Sequence, residues 1–164
     1  MALSLSALEA AHEVKKFACG KAELDAYLQN TAGQHQSKKI AKTYVLTDDE
    51  AQGVVLGYFT MAIRPMTPRG DMPVSMVKKL PTNVPGFTLA RLAVAKEQKG
   101  RRLGEMMLMA AMAKAKAAAE EVGGFALFVD AKDSDAASFY QKYGFIPFPS
   151  NPLILAIPIV SLPG

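Results

Sequence analysis

The sequence predicts an α/β or α+β fold built on a mixed β-sheet, and three observations lead to this class. Half of the 164 residues are hydrophobic and only 21% are charged, which is typical of a single folded domain, expected to span residues 1–164. Two apolar stretches in the first half are spaced like the strands of an antiparallel hairpin. In the second half, a strand, a long helical segment and an apolar strand follow one another as in a βαβ unit.

The first half of the chain is predicted to hold one helix and the hairpin. Apolar residues recur at helical spacing over residues 21–36. Residues 43–47 and 54–63 are the two hairpin strands, separated by an acidic turn. Residues 64–87 contain five prolines and are expected to form a loop with a short helix around residues 74–80.

The second half is predicted to follow the βαβ order. Residues 88–94 form a strand, and residues 103–122 form a long helix because they are rich in Ala, Met, Leu, Lys and Glu. Two glycines at 123–124 end this helix, and the apolar residues 125–129 form a buried strand. A shorter helix and two more strands complete the prediction, at residues 133–143, 145–148 and 153–159.

Composition excludes several classes of protein. The hydrophobic content excludes a disordered chain, and a single cysteine, Cys19, excludes an intrachain disulfide framework and a multi-cysteine zinc site. Cys19 is interpreted as a small buried hydrophobe rather than a nucleophile. His12 and His35 each stand alone, so no metal site is predicted. We find neither an apolar run long enough to span a membrane nor a secretory leader, and we expect a cytoplasmic protein.

Positive charge is concentrated in the middle third of the chain. Residues 51–104 hold nine Lys and Arg against two Asp and Glu, a net +7, whereas the whole chain carries +4. Such a segment forms either a solvated basic face or a surface for an anionic partner such as a phosphate or a nucleic acid. We favour the anionic partner.

A basic glycine loop, residues 99–104 (KGRRLG), precedes the long helix. A helix N-terminus offers free N–H groups and about half a positive charge, and a glycine lets an anion approach the backbone closely. With three cationic side chains added, the loop predicts a site for a pyrophosphate. Its spacing is neither that of a Walker A loop nor GxGxxG. From the loop alone, an ordinary basic turn is an equal alternative.

A second motif, residues 139–145 (FYQKYGF), places a glycine at a helix end and an aromatic residue at the next strand. Taken in isolation, Phe139, Tyr143 and Phe145 are expected to be core residues and Tyr140 a boundary aromatic. The order of the surrounding elements instead favours a functional Tyr140.

Residues 88–148 resemble the Gcn5-related N-acetyltransferase (GNAT) superfamily: LARLAV resembles its central strand, KGRRLG its acyl-CoA loop and FYQKYGF its last core motif. Further upstream segments resemble one branch, the GNAT-type toxins of bacterial toxin–antitoxin pairs that acetylate aminoacyl-tRNA; these are residues 17–20, 24–28, 43–45 and 57–59. The resemblance implies the GNAT fold, with a central mixed, twisted sheet of about six or seven strands flanked by helices on both faces.

The resemblance implies acetyl-CoA as co-substrate and no metal. Lys99 and Arg102 depart from the family pattern Q/R-x-x-G-x-G/A, and Arg102 would be strained if its φ is positive. Asp133 stands where many members have Asn. The implied contacts with acetyl-CoA are Leu92, Ala93, Val94, Lys99, Gly100, Arg101, Arg102, Leu103, Gly104 and Asp133.

The same resemblance assigns Tyr140 as the general acid that protonates the departing thiolate, with the backbone N–H of Val94 or its neighbour polarising the thioester carbonyl. We find no Ser-His-Asp or Cys-His arrangement, so an acyl-enzyme is not expected. No general base stands out; a tyrosine, Glu105 and a water are open alternatives. An α-amine, with a pKa of about 8, needs a base less than a lysine at about 10.4, which favours an α-amine acceptor.

The leading hypothesis is therefore an acetyl-CoA-dependent N-acetyltransferase that acts on the α-amino group of aminoacyl-tRNA. The resemblance also implies a ribbon-helix-helix antitoxin as partner and a homodimer. An acetyltransferase for a small-molecule or protein amine and a non-catalytic acyl-CoA-sensing or RNA-binding module are the alternatives. The candidate tRNA contacts are Lys38, Lys39, Lys42, Arg64, Arg69, Lys78, Lys79 and Arg91.

Overall fold

A mixed β-sheet of seven strands organises the structure, a computed structural model that describes residues 2–163. Its order is β1-β2-β3-β4-β5-β7-β6. β4 and β5 are parallel, whereas the pairs β1–β2, β2–β3, β5–β7 and β6–β7 are antiparallel. The strands are β1 (Leu3–Ala7), β2 (Lys42–Asp48), β3 (Gly57–Pro68), β4 (Asn83–Val94), β5 (Ala126–Asp130), β6 (Ile146–Pro147) and β7 (Ile154–Pro158).

Four α-helices accompany the sheet within the described residues. They are α1 (Ala22–Asn30), α2 (Ala32–Ser37), α3 (Leu103–Val122) and α4 (Ser134–Gln141). None of the helices within residues 2–163 has the length and apolar character needed to cross a membrane.

The helix predicted over residues 21–36 is in fact two helices. Thr31 adopts φ −124° and ψ −39°, outside the helical region, and separates α1 from α2. Its N–H still donates to the Tyr27 carbonyl at 2.9 Å, so Thr31 closes the first helix. The long helix is confirmed with the predicted bounds, and Gly123 ends it with φ +81° and an N–H bond to Ala119 at 2.8 Å.

The loop predicted over residues 64–87 was too long. β3 continues to Pro68 and β4 begins at Asn83, so only residues 69–82 lie outside the sheet, and the expected short helix is one 3₁₀ turn, Val74–Met76. The loop prediction rested on the prolines and glycines of this segment, which normally interrupt strands. The Pro85 carbonyl instead accepts a bond from Phe125 N–H at 2.9 Å, and Gly86 pairs with Ala126 on β5.

The chain divides into two compact units. Unit 1 contains the residues up to Ala62 together with Ala90–Ala111, and unit 2 contains Ile63–Leu89 and the residues from Met112 onward. Because of these boundaries, β3, β4 and α3 contribute residues to both units. The expectation of a single domain stays a prediction.

The core of unit 1 is centred on Tyr58, which is fully buried. Its ring meets that of Phe17 edge-to-face at 5.5 Å, and its hydroxyl donates to the Leu24 carbonyl at 2.6 Å. α3 approaches β3 closely at Gly57, where a Cβ would lie only 2.7 Å from Met107 Cε. A Cβ there would also lie 2.9 Å from the Ala93 carbonyl oxygen, which is backbone and cannot move aside as the end of the Met107 side chain can, so the position favours glycine.

The core of unit 2 is centred on Phe128 of β5, which is also fully buried. Phe148 meets its ring edge-to-face at 6.1 Å. On β4, a Cβ at Gly86 would lie 2.4 Å from the Ala126 carbonyl oxygen and 2.5 Å from Phe128 Cε1. A glycine at this position therefore lets β4 and β5 pair beside the Phe128 ring.

Candidate active site

The loop of residues 99–104 begins after a 3₁₀ turn, Lys96–Gln98, and leads into α3. Its entrance is anchored in unit 1, because the N–H of Lys96 donates to the Ala18 carbonyl at 2.9 Å. Its exit is the start of α3, where the Arg102 carbonyl accepts from Met106 N–H at 3.1 Å. The first-turn N–H groups of a helix have no intrahelical acceptor. This turn therefore offers backbone donors to an anion.

Two residues of this loop have left-handed backbone conformations, Gly100 with φ +85° and Arg102 with φ +59°. Strain was expected at Arg102 if its φ is positive, and its φ is positive. A side chain in this region costs about 1–2 kcal/mol, a cost that Gly100 does not incur. A Cβ built on Gly100 meets no atom within 4 Å, so an anion can approach the backbone closely there.

The cationic side chains of the loop lie at the surface. Lys99, Arg101 and Arg102 are all exposed, and the Arg101 guanidinium donates to the Gln98 side chain. Their charge adds to the positive end of the 20-residue helix α3. Cations, an open glycine and helix N–H groups together suit a diphosphate.

The end of β4 contains the three predicted strand contacts, Leu92, Ala93 and Val94. Ala93 is buried and the other two are half-buried. The N–H of Ala95 donates to the Leu56 carbonyl at 2.9 Å. Because successive N–H groups of an extended chain point to opposite sides, the N–H of Val94 points away from that carbonyl. The register of β4 with β5 covers Gly86–Leu89, and β4 continues beyond it to Val94.

Tyr140 lies in the last turn of α4, in unit 2, and is 7% exposed. Its ring meets those of Phe139 and Phe145 edge-to-face at 5.2 and 5.6 Å. Burial raises the pKa of the Tyr140 phenol, so the hydroxyl keeps its proton throughout the neutral range. The aromatic motif thus forms a cluster that fixes the orientation of the Tyr140 ring.

Asp133 is the N-cap residue of α4, and its Oδ1 accepts from Ala136 N–H at 2.9 Å. Capping of this kind stabilises a helix by about 1 kcal/mol. Asp133 therefore has a structural role at the start of the helix that carries Tyr140. Its predicted contact with acetyl-CoA stays a prediction.

Five of the eight candidate tRNA contacts are exposed lysines, in two groups. Lys38 and Lys39 follow α2 and Lys42 begins β2, all in unit 1, and Lys78 and Lys79 lie in the loop of residues 69–82 in unit 2. Arg69 is exposed too, but its guanidinium donates to the Leu80 carbonyl at 2.6 Å and holds that loop closed.

Arg64 has a different environment from the one predicted. Its side chain is only 14% exposed, and its guanidinium forms a two-pronged pair with Asp130, at 2.9 and 3.2 Å. It also donates to Thr88 Oγ1 at 2.8 Å and lies 5.0 Å from the Phe128 ring centroid. Because these contacts occupy the guanidinium, we remove Arg64 from the proposed tRNA surface. The sequence alone does not point to Asp130, since nothing local links it to Arg64.

Arg91, on β4 in unit 1, is half-buried and stacks on Tyr27, with its Cζ 3.7 Å from the ring centroid. The Tyr27 hydroxyl shares a hydrogen bond with His35 Nδ1 at 3.2 Å. This contact holds the guanidinium in a fixed place, and His35 supports the ring beneath it.

Cys19 and His12 are further side chains that could act as a nucleophile or a metal ligand. Cys19 is 3% exposed, and burial raises the pKa of its thiol, as expected for a core residue. His12 Nδ1 accepts from Glu9 N–H at 3.0 Å. Within residues 2–163 there is no cluster of three or more His, Cys, Asp or Glu side chains that could hold a metal ion.

Comparison with known proteins gives a consistent result. The sequence profile of the acetyltransferase (GNAT) domain matches residues 39–147. A tRNA-acetylating toxin of Mycobacterium tuberculosis is 31% identical over 147 residues, covering 90% of this chain and 86% of the relative.

Two solved structures have the same fold. AtaT complexed with acetyl-methionyl-tRNAfMet superposes with a TM-score of 0.89 at 31% identity, covering 98% of this chain and 96% of that one. A mutant AtaT toxin, bound to the C-terminus of the antitoxin AtaR and to acetyl-CoA, has a TM-score of 0.83 at 28% identity, covering 98% and 95%. With the family profile matching most of its length, this chain belongs to the GNAT acetyltransferase family.

Proposed function

We propose that this protein transfers the acetyl group of acetyl-CoA to the α-amino group of aminoacyl-tRNA, and that it is the toxin of a toxin–antitoxin pair. The observation that carries the proposal is the loop of residues 99–104, whose backbone turns sharply at Gly100 and Arg102 into the N-terminus of α3. Similarity to the tRNA-acetylating toxin supports aminoacyl-tRNA as the acceptor.

The loop would bind the pyrophosphate of acetyl-CoA. The N–H groups of Leu103 and Gly104 donate to phosphate oxygens, and Lys99, Arg101 and Arg102 neutralise their charge. The N–H of Val94, which points away from the Leu56 carbonyl, donates to the thioester carbonyl and stabilises the oxyanion that develops there.

Tyr140 would supply the proton that the leaving group needs. The amine nitrogen attacks the thioester carbon, the new N–C bond forms and the C–S bond breaks. The thiolate takes the phenolic proton of Tyr140, and the resulting phenolate later takes a new proton from solvent. The acetylated nitrogen loses one proton to water. Burial keeps the phenol protonated, as an acid in this step must be.

The exposed lysines and the stacked Arg91 would bind the tRNA phosphates. One lysine group lies at the end of α2 and the start of β2, the other in the loop of residues 69–82, and Arg91 is held by Tyr27. Phosphate contacts of this kind position a nucleic acid without reading its sequence. With Arg64 removed, the proposed tRNA contacts are Lys38, Lys39, Lys42, Arg69, Lys78, Lys79 and Arg91.

The partners follow from the same proposal. We place the reaction in the cytoplasm, where charged tRNA is found, and we expect the protein to act as a homodimer. Its antitoxin would carry a ribbon-helix-helix DNA-binding domain. The AtaT complex with the C-terminus of AtaR supports a toxin–antitoxin partnership for this chain.

Incubation with radiolabelled acetyl-CoA and total charged tRNA tests the proposal directly. We expect label on aminoacyl-tRNA, released as N-acetylamino acid after mild alkaline hydrolysis of the ester. Deacylated tRNA and free amino acids are the matched controls and should stay unlabelled. Label that instead accumulates on protein or on small-molecule amines would establish the alternative acceptor class.

A further inference from the structure

Asp130 presents a fixed carboxylate at the end of β5. Both of its oxygens accept from Arg64, at 2.9 and 3.2 Å, so the side chain cannot turn away. The Arg64 guanidinium is itself held by Thr88 and by the Phe128 ring. Yet the Asp130 side chain is 55% exposed. Its outer lone pairs therefore remain open to a hydrogen-bond donor.

The carboxylate lines a cleft of about 660 Å³ that lies entirely within unit 2. Apolar side chains form much of its wall, among them Met66, Phe148 and Ile154. Its charged lining residues are Arg64, Asp71 and Asp130, a net charge of −1. A cleft with an apolar wall and an excess negative charge repels phosphate and suits a cationic or N–H donor group attached to an apolar body.

We propose that this cleft receives the aminoacyl end of the acceptor and that the Asp130 carboxylate binds its α-amino group. The inference rests on the proposed function and deepens it, because it gives the acceptor nitrogen a specific partner. Asp130 is linked to α4, the helix that carries Tyr140, by only three residues, 131–133.

The chemistry of the transfer fits a carboxylate at this place. As the N–C bond forms, positive charge develops on the attacking nitrogen, and an anion within hydrogen-bond reach stabilises it. Asp130 takes no proton: the nitrogen releases its proton to water, and the carboxylate ends the step unchanged. A fixed carboxylate stabilises the charge at a lower cost in conformational entropy than a mobile one. Arg64 contributes by holding the Asp130 carboxylate in place.

Binding measured without turnover tests the inference. The probes are an aminoacyl-tRNA and the same tRNA after nitrous acid has converted the α-amino group to a hydroxyl, each titrated in the presence of CoA at about pH 6.5, where the amine is largely protonated. We expect the native protein to prefer the amine by about 10-fold to 100-fold, the range for a hydrogen bond to a charged group. Asp130→Asn should reduce the preference below about twofold.

Asp71→Asn is the matched control, since Asp71 lines the same cleft and the substitution removes the same charge. It should retain most of the amine preference. Asp130→Asn alone leaves the Arg64 guanidinium without its anionic partner, a change that can by itself unfold the protein. The double variant Arg64→Gln with Asp130→Asn removes that cation as well, so it serves as the test if the single variant unfolds. It too should lose the preference for the amine.

The outcomes separate the two proposals. Amine preference that survives in Asp130→Asn or in the double variant, or equal loss in Asp71→Asn, overturns the assignment of Asp130. Binding of both tRNAs to the native protein with equal affinity overturns it as well and leaves the acetyltransferase proposal standing. If the native protein neither binds nor acetylates any charged tRNA, the proposed function is wrong and this inference falls with it.

Discussion

At the scale of single residues, burial suits the Tyr140 phenol to its proposed role as the acid. Its raised pKa ensures that the proton is present at neutral pH. A thiol has an ordinary pKa of about 8.5, below that of the phenol, so transfer from a resting phenol to a thiolate is uphill. In the proposed mechanism the proton transfer therefore accompanies C–S cleavage, and an alkaline limb of the rate profile below about pH 10 should not arise from Tyr140.

Tyr140→Phe removes only the hydroxyl and keeps the ring contacts with Phe139 and Phe145. We expect kcat to fall about 10²-fold to 10⁴-fold, the range for loss of one general acid. Acetyl-CoA affinity measured by calorimetry should be unchanged, and growth arrest on expression without the antitoxin should be relieved.

Tyr143→Phe is the control for this substitution, because Tyr143 lies in the same aromatic cluster and is half-buried. It should retain kcat within about threefold. Native turnover by Tyr140→Phe at saturating substrates would show that another group protonates the thiolate.

Single-residue environments were predictable from the sequence only where a local motif supplied them. The possible strain at Arg102 followed from its place in the glycine loop. The aromatic motif predicted a role for Tyr140 but not its burial, because Tyr140, expected at the boundary, is buried, and Phe139 and Tyr143, expected in the core, are half-buried. Arg64 was assigned to tRNA because it is a cation in a basic segment. Its partner Asp130 lies 66 positions away, and no local pattern connects two strands that only the folded sheet brings together.

At the scale of elements, the N-terminus of α3 should tolerate little extra bulk. Gly104 is the second residue of that helix, and Gly104→Val places a branched side chain where the pyrophosphate is proposed to lie. We expect acetyl-CoA affinity to fall about 10-fold or more in calorimetry. Gly33→Val is the control, because Gly33 is the second residue of α2 and a Cβ there meets nothing within 4 Å. Unchanged affinity in Gly104→Val would place the pyrophosphate elsewhere.

The pairing of β4 with β5 depends on Gly86. In Gly86→Ala, the new methyl would lie 2.4 Å from the Ala126 carbonyl oxygen, which is backbone and cannot rotate away. We expect the free energy of unfolding to fall by about 3 kcal/mol in urea denaturation. Gly70→Ala should change it by less than about 0.5 kcal/mol, because a Cβ at Gly70 meets nothing within 4 Å. Equal stability of the two variants would contradict the close strand approach.

Element types were more predictable than their bounds. The composition of α3 consists of strong helix formers, and its bounds were predicted correctly. The start of β4 was missed because Pro85 and Gly86 normally interrupt strands. Here the Pro85 carbonyl accepts a hydrogen bond from Phe125, and Gly86 lets β5 approach closely at Ala126. β1 was missed although its sequence, LSLSA, alternates apolar and polar residues, because a five-residue alternation is a weak signal on its own.

At the scale of the whole molecule, the basic surface should make tRNA binding depend on salt. Each phosphate contact with a single-strand-like segment contributes a slope of about −0.7 in log–log form. Four engaged charges would then weaken binding about 50-fold between 50 and 200 mM salt. The acceptor KM, measured with saturating acetyl-CoA in the regime where it reports binding, should rise accordingly. A KM that stays flat for charged tRNA would remove the exposed lysines from the docking surface.

Two buried tyrosines predict how global stability changes at high pH. Burial raises the pKa of both Tyr58 and Tyr140, so folding favours their neutral forms. This stabilisation is fully present below the ordinary tyrosine pKa of about 10 and is lost as the pH rises towards the raised values. We expect the free energy of unfolding to fall by up to roughly 1.4 kcal/mol per pH unit for each tyrosine above about pH 10. Denaturation series at several pH values should give a shallower slope for Tyr140→Phe than for the native protein.

The place of β7 in the sheet has a consequence for the order in which the protein is made. β7 follows every other strand in the chain, yet it lies between β5 and β6. A nascent chain synthesised through Tyr140 but not through Ile154 already contains the glycine loop, Asp130 and the phenol. Its β5 still lacks the five-residue antiparallel partner from Ile154 to Pro158. Because β7 is synthesised after the glycine loop, Asp130 and Tyr140, an enzyme that stops translation would complete the sheet around β5 only after the residues proposed for its reaction have been made.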